Sequence, residues 1–126
     1  MHKSRLGAII VDCQTEDLHR DAQFWGAAMG ATPEAPEAQH NPRYVRLEGL
    51  AAEVPMLLQS VDHPSRVHLD IETDDIDAEV KRLESLGAEV VERMERWTVM
   101  QAPSGHRFCV IGASRPGFDE HANVWA

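Results

Sequence analysis

Short stretches of alternating apolar and polar residues recur along this chain, and they predict β-strands. The stretch "RVHLDIE" (66–72) alternates strictly, which places its apolar residues on one face and His68, Asp70 and Glu72 on the other. Further strands are predicted at 6–13, 43–49, 52–61, 89–95, 96–101 and 106–113. The proline-rich segment 31–42 has no apolar period, so we expect a loop or an irregular edge strand there.

Two longer stretches repeat their apolar residues every three or four positions, which predicts two helices. The first follows Thr15 or Asp17, either of which can cap it, and Gly30 is placed to end it. The second follows Asp75 as a cap and ends at Gly87.

The order of these elements is β-α-β-β-β, and it occurs twice. A four-stranded sheet with one helix cannot cover both of its faces, so two such modules are expected to fold together. We therefore predict an α+β fold with one domain over residues 1–126. Module one spans about 5–61 and module two about 66–113, and 114–126 form an extended tail. Trp125 in that tail is expected to dock on the body of the protein or on a partner.

Composition excludes several classes of protein. The net charge of −9 argues against binding to nucleic acid phosphates. No segment approaches the ~18 apolar residues of a membrane helix, and the apolar run 6–11 is too short for a signal peptide, so a cytoplasmic protein is expected.

Cys13 and Cys109 are expected to be free thiols. Because the sequence has no CxxC or Cys/His motif, a structural zinc site is not expected.

Three segments carry a resemblance to a known family. They are "VHLDIETDDIDAEVKRLESLGAEV" (67–90), "WTVMQAPSGHRFCV" (97–110) and, more loosely, "AIIVDCQTEDLHRDAQFWGAAMGA" (8–31). These segments resemble the vicinal oxygen chelate superfamily, which includes glyoxalase, bleomycin-resistance and extradiol-dioxygenase proteins. The resemblance implies that the two βαβββ modules form a curled mixed sheet, a half-barrel with its helices outside.

Metalloenzymes of that superfamily take ligands from the first and last strands of each module. In module two the resemblance assigns these positions to His68 and Cys109. In module one it assigns them to Ile10 and to either Leu57 or Gln59. A hard divalent ion needs three or more oxygen or imidazole ligands, and a zinc site from His68 and Cys109 would lack a third and a fourth ligand. We therefore expect no metal and no other cofactor.

The resemblance also implies a ligand site on the concave side of the sheet. The expected ligand-binding residues are Arg46, Gln59, His68, Asp70, Trp97 and Cys109. Either the pair Tyr44/Arg46 or the pair Met56/Leu58 would share that space. His68 can also be read as a structural histidine, and Cys109 as an inert core thiol or as a nucleophile with His68 as its base. No catalytic residue is assigned.

These expectations favour a metal-independent small-molecule-binding protein that forms a homodimer and takes a cationic or aromatic ligand. The alternative is a metal-dependent lyase, isomerase or dioxygenase acting on vicinal oxygens, with ligands among Asp12, Gln59 and Asp70. A metal-free enzyme using His68 and Asp70, or a scaffold that dimerises through its tail, is also compatible with the sequence.

Overall fold

The computed structural model describes residues 1–35 and 41–126, so the predicted loop 31–42 lies partly outside the described residues. Contacts divide the chain into two compact units, Ala8–Val67 and the combination of Met1–Gly7 with His68–Ala126. The helices are α1 (Leu18–Met29), α2 (Ile76–Ser85) and α3 (Phe118–His121). The strands are β1 (His2–Gln14), β2 (Thr32–Pro33), β3 (Tyr44–Glu48), β4 (Met56–Val61), β5 (Arg66–Thr73), β6 (Glu89–Arg93), β7 (Trp97–Gln101), β8 (Arg107–Gly112) and β9 (Asn123–Trp125).

Module one consists of β1 to β4 with α1. The second half of β1 pairs in parallel with β4, β4 pairs antiparallel with β3, and β3 pairs with β2. Asp17 caps α1 by accepting a hydrogen bond from the Arg20 N–H at 3.2 Å, and Gly30 ends it in the left-handed region at φ 70°. The core between α1 and the sheet contains Val11, Cys13, Leu18, Ala22, Val45, Leu47 and Leu58.

Module two repeats that arrangement in β5 to β8 with α2. Strand β5 pairs in parallel with β8, β8 pairs antiparallel with β7, and β7 with β6. Asp75 caps α2 through the Ala78 N–H at 3.0 Å. The core between α2 and the sheet contains Val80, Leu83, Met100 and Val110. The α+β fold with two βαβββ modules is confirmed, and each module has its first and last strands side by side.

The C-terminal segment is more ordered than the sequence predicted. Its apolar residues are too few to show a period, yet the segment forms α3 and β9. Strand β9 pairs antiparallel with β1, with Trp125 opposite His2. Trp125 donates a hydrogen bond to the Ser4 hydroxyl at 2.8 Å, and the Arg82 guanidinium lies 3.9 Å from the centre of its ring. Trp125 therefore docks on the body of its own chain.

A buried carboxylate lies beside this contact. Glu79 of α2 is fully buried, and its carboxylate contacts His2 Nε2 at 2.8 Å and accepts two hydrogen bonds from Arg82 at 2.8 and 2.9 Å. Burial alone raises the pKa of the Glu79 carboxyl, but hydrogen bonds from Arg82, Ser4 and His2 outweigh burial and hold this pKa below 4.5. The ionised form of Glu79 is therefore the form that the fold stabilises.

This lowered pKa predicts a pH dependence of stability. The contribution of Glu79 is fully present above its unfolded pKa of about 4.5 and is lost as the pH falls through the lower folded pKa. We expect Glu79→Gln to show a shallower loss of unfolding free energy than the wild type between about pH 5 and pH 3. Urea unfolding at several pH values measures this, with the exposed Glu84→Gln on the same helix as the matched control. Equal slopes for wild type and Glu79→Gln would contradict the assignment.

Cys13 and Cys109 are both free thiols, as predicted. Within the described residues, none of the helices has the length and apolar character that crossing a bilayer requires.

Candidate functional site

The sheet of module two has one face packed on α2 and a second face that carries polar side chains. Met100 and Val110 point to the α2 side, where both are fully buried. Because side chains alternate along a strand, their neighbours Val99 and Cys109 point the other way. We call this second side the polar face. Pairing of Asp70 with Cys109, and of Cys109 with Val99, places His68, Asp70, Val99 and Cys109 together on it.

Three side chains of the polar face converge on one point. His68 Nε2 lies 3.4 Å from Asp70 Oδ1. One ligand atom from each of His68, Asp70 and Cys109 lies within 4.8 Å of the other two. The side chains of His68 and Asp70 are only 11% and 16% exposed, so their polar atoms are held mostly away from bulk water. The spacing of His68 and Asp70 two residues apart on one strand is the sequence signal for this group.

Glu72 continues the same row of β5 but has a structural role. It is 1% exposed, and its carboxylate accepts a hydrogen bond from Arg5 Nε and lies 3.3 Å from the Arg115 guanidinium. Two guanidinium groups compensate its charge, so Glu72 is held by these partners rather than presented to a ligand. Gly7 lies beside it, and a Cβ there would approach Glu72 Cβ to 3.1 Å.

Trp97 and Arg107 frame the cluster on the neighbouring strands. Trp97 pairs with Ile111, two residues beyond Cys109 on β8, and 36% of its surface is exposed. It also borders a cavity of about 450 Å³ formed with the start of α2 and the turn 93–96. Arg107 Nε donates to Gln101 Oε1 at 3.0 Å, which fixes its guanidinium on the polar face.

Module one has the same pairing pattern but different chemistry. Asp12 pairs with Gln59 as Asp70 pairs with Cys109. If Ile10 is the counterpart of His68, this register makes Gln59, rather than Leu57, the counterpart of Cys109. The Gln59 amide donates to the Tyr44 hydroxyl at 3.0 Å, and Arg66 Nε lies 3.7 Å from Asp12 Oδ2.

The strand register also shows which of the two alternative pairs, Tyr44/Arg46 or Met56/Leu58, lies on the face away from α1. Leu58 is fully buried against α1 and Met56 packs against the same core. Tyr44 is paired with Gln59, and Arg46 with Leu57, so both lie on the side that carries Gln59. Tyr44 and Arg46 therefore belong to the face away from α1, and the Arg46 side chain there is exposed.

Sequence reasoning missed a polar cavity in module one. It measures about 720 Å³ and opens where β1 and β4 end. Its lining includes Gln14, Arg43, Gln59 and His63. The signal for it is weak, because only Gln59 in this set belongs to a strand face that the alternation pattern singles out.

The residues do not fit the hard divalent ion that the resemblance implies. Ile10 is 2% exposed and offers no ligand atom, and Cys109 supplies sulfur where a hard ion requires oxygen. Gln59 has an amide oxygen and His68 an imidazole, which leaves two suitable ligands among four positions. The residues at these positions therefore supply too few hard ligands for such an ion.

A family model described as a glyoxalase-like domain matches residues 8–111. The fold is similar to the hypothetical protein BH1468 from Bacillus halodurans C-125, with a TM-score of 0.61, 11% identity, and coverage of 89% of this chain and 96% of that one. It is also similar to methylmalonyl-CoA epimerase from Mycobacterium tuberculosis, with a TM-score of 0.60, 15% identity, and coverage of 87% and 88%. Homoprotocatechuate 2,3-dioxygenase from Arthrobacter globiformis gives a TM-score of 0.58 and 13% identity, with 88% of this chain matching 36% of the dioxygenase. Among curated proteins, none matches the sequence significantly.

Proposed function

Because this chain belongs to the glyoxalase-like domain family of the vicinal oxygen chelate superfamily, we propose that it binds a small molecule on the polar face of module two without a hard divalent ion. The observation that carries the proposal is the convergence of His68, Asp70 and Cys109 on one point of that face. A few convergent polar groups beside apolar and aromatic side chains are typical of small-ligand sites. The ligand set for the hard ion is incomplete, because Ile10, at the position of module one that matches His68, has no ligand atom.

The charges and aromatic groups of the site indicate the class of ligand. The Asp70 carboxylate balances the Arg107 guanidinium on the polar face, and the whole chain carries a net charge of −9, which attracts cations. Trp97 offers an exposed ring on which a flat or cationic group can stack. We therefore propose a cationic or aromatic small molecule as the ligand.

Ligand binding predicts a measurable gain in stability. A ligand present at about 100 times its dissociation constant is expected to add about 2.7 kcal/mol to the free energy of unfolding. The test screens cationic aromatic compounds for those that raise the melting temperature of the metal-free protein. A parallel series with added Mg²⁺ or Mn²⁺ should give the same rise. His68→Ala is expected to abolish the gain, whereas His106→Ala, an exposed histidine in the turn before β8, should keep it.

Two results would contradict this proposal. One is the absence of any stabilising compound across a broad panel. The other is a gain that survives His68→Ala but disappears in Arg43→Ala, since that would place the ligand in the module-one cavity instead.

A second candidate function is favoured by the structural neighbours, and its hard ligands would include His68 and Asp70 without Cys109. It is a metal-dependent lyase, isomerase or dioxygenase acting on a substrate with vicinal oxygens, and the structural neighbours include an epimerase and a dioxygenase. Elemental analysis of protein purified without chelator decides between the two. One equivalent of magnesium, manganese or iron, lost in His68→Ala, would favour the enzyme.

The compartment and the assembly state stay predictions. Two free thiols support the proposal of a reducing, cytoplasmic environment. The proposed homodimer is tested by the mass of the protein in solution.

A further inference from the structure

We propose that the ligand of the polar face is an aromatic zwitterion, with a carboxylate bound by Arg107 at one end of its ring and a cationic group facing Asp70 at the other. This inference rests on the proposed small-molecule function and deepens it, because it adds an anionic group to the expected ligand. It is carried by two opposite charges that the polar face holds apart from each other.

The Arg107 guanidinium is held in place by a neutral partner. Arg107 opposes Gln101 in the pairing of β7 with β8, and its Nε donates a hydrogen bond to Gln101 Oε1 at 3.0 Å. A guanidinium has five N–H donors, and this bond uses the one on Nε. The two Nη groups at its end are parallel donors, and that arrangement binds both oxygens of a carboxylate. Gln101 therefore acts as a positioning residue that aims Arg107.

The carboxylates of the polar face do not take up this guanidinium. Asp70 Oδ1 lies 3.4 Å from His68 Nε2, and Glu72 is held by two guanidinium groups of its own. Glu89, opposite Gln101 on the edge strand β6, is exposed to water. In the part of the chain that the structure describes, residues 1–35 and 41–126, none of the carboxylates forms an ion pair with Arg107. Its positive charge is therefore left for a ligand.

The strand register gives the separation of the two charges. Asp70 opposes Cys109, and Arg107 lies two residues before Cys109 on the same face of β8. The rise along a strand and the spacing between strands place the Cα atoms of Asp70 and Arg107 about 8 Å apart. The hydrogen bond to Gln101 directs the Arg107 side chain towards β7, away from Asp70 on β5. A ligand that meets both charges therefore carries its own charges about one benzene ring apart.

The surface between the charges suits an aromatic ring. Val99 and Cys109 pair with each other and form an apolar floor on the polar face, since a protonated thiol behaves as a small apolar group. Trp97 lies two residues before Val99 on the same face, and 36% of its surface is exposed. A ring on this floor can stack against the indole while its charged substituents reach Arg107 and Asp70.

The experiment titrates the full protein, labelled with ¹⁵N, with three compounds that share one ring, and follows its amide resonances by two-dimensional NMR. The zwitterion is 4-(aminomethyl)benzoate. Its amide, 4-(aminomethyl)benzamide, lacks the carboxylate, and 4-methylbenzoate lacks the cationic group. We expect all three to shift resonances of β5, β7 and β8, and the zwitterion to bind at least about tenfold more tightly than either of the others.

Substitutions assign the two charges of the zwitterion. Arg107→Lys keeps the positive charge but removes the pair of parallel donors, so it is expected to weaken binding of the zwitterion about tenfold and binding of the amide less than about twofold. Gln101→Leu is expected to have a smaller effect of the same kind, whereas Asp70→Asn should weaken both compounds alike. Arg20→Lys, at an exposed position of α1 in module one, is the matched control and should change neither affinity.

The comparison of the zwitterion with its amide uses the wild type and does not depend on the folding of any variant. Equal affinity for these two compounds, lost for both in His68→Ala, would overturn this inference and leave the small-molecule function intact. Inorganic phosphate that binds at the same resonances as tightly as the zwitterion would also overturn it, since the site would then accept any anion. If none of the three compounds shifts these resonances, this inference fails, and the small-molecule function fails with it only when the broad compound screen is also negative.

Discussion

Replacing Glu79 with alanine is expected to lower the free energy of unfolding by about 3–5 kcal/mol. Glu79 is fully buried, and its carboxylate contacts both His2 and Arg82. Removing the carboxylate leaves two partners in place without their acceptor, and the His2 side chain, at 9% exposure, has little access to water in its place. Urea unfolding at neutral pH measures the loss.

Glu84→Ala provides the matched control, because Glu84 lies on the same helix and is exposed. Its expected effect is within about 0.5 kcal/mol of the wild type. A similar loss in both variants would mean that the loss does not come from the buried contact of Glu79, since alanine itself favours the helix. A loss below about 1 kcal/mol in Glu79→Ala would contradict the structural role of the cluster.

The sequence predicted the modules well because local signals determine them. Asp17 and Asp75 cap the two main helices, and Gly30 ends the first, as the pattern indicated. These features depend on neighbours within a few residues. The repeat of element order then implied two modules without any knowledge of contacts between distant residues.

Burial along β5 shows where periodicity fails. Apolar side chains on one face of a strand are usually the buried ones, yet Val67 and Leu69 are 54% and 44% exposed. Glu72, on the polar side, is 1% exposed because Arg5 and Arg115 compensate its charge. Both arginines are more than 40 residues away in sequence, and no local pattern reports such pairing.

The sequence analysis named the residues of the candidate site, but it did not predict the distances between them. His68, Asp70 and Cys109 were all expected to contact a ligand, and whether they do stays a prediction. The alternation pattern placed Asp70 on the same strand face as His68, but it could not show that Asp70 lies opposite Cys109. The pairing of Asp70 with Cys109 across β5 and β8 is what brings the third donor to the other two.

The tail was described from the sequence as extended, and only its tryptophan suggested that it docks. Its contacts are long-range: Trp125 meets Ser4 and Arg82, and Phe118 lies under the Arg5 guanidinium at 5.5 Å. Phe118 is 9% exposed, so the segment contributes a buried aromatic side chain to the body of the protein.

Deletion of residues 114–126 is therefore expected to lower the free energy of unfolding by about 2–5 kcal/mol. Burial of Phe118 contributes about 1.5–3 kcal/mol, and the contact of Trp125 with Arg82 about 0.5–2 kcal/mol. Urea unfolding measures the loss. Val124→Ala, at a position 55% exposed on β9, is the control, and its expected effect is within about 0.5 kcal/mol.

The truncated protein is expected to keep the assembly state of the full chain, because the tail docks on its own chain. Its mass in solution should therefore fall only by the mass of the deleted residues. An unchanged free energy of unfolding together with loss of a dimer would instead assign the tail to a second copy.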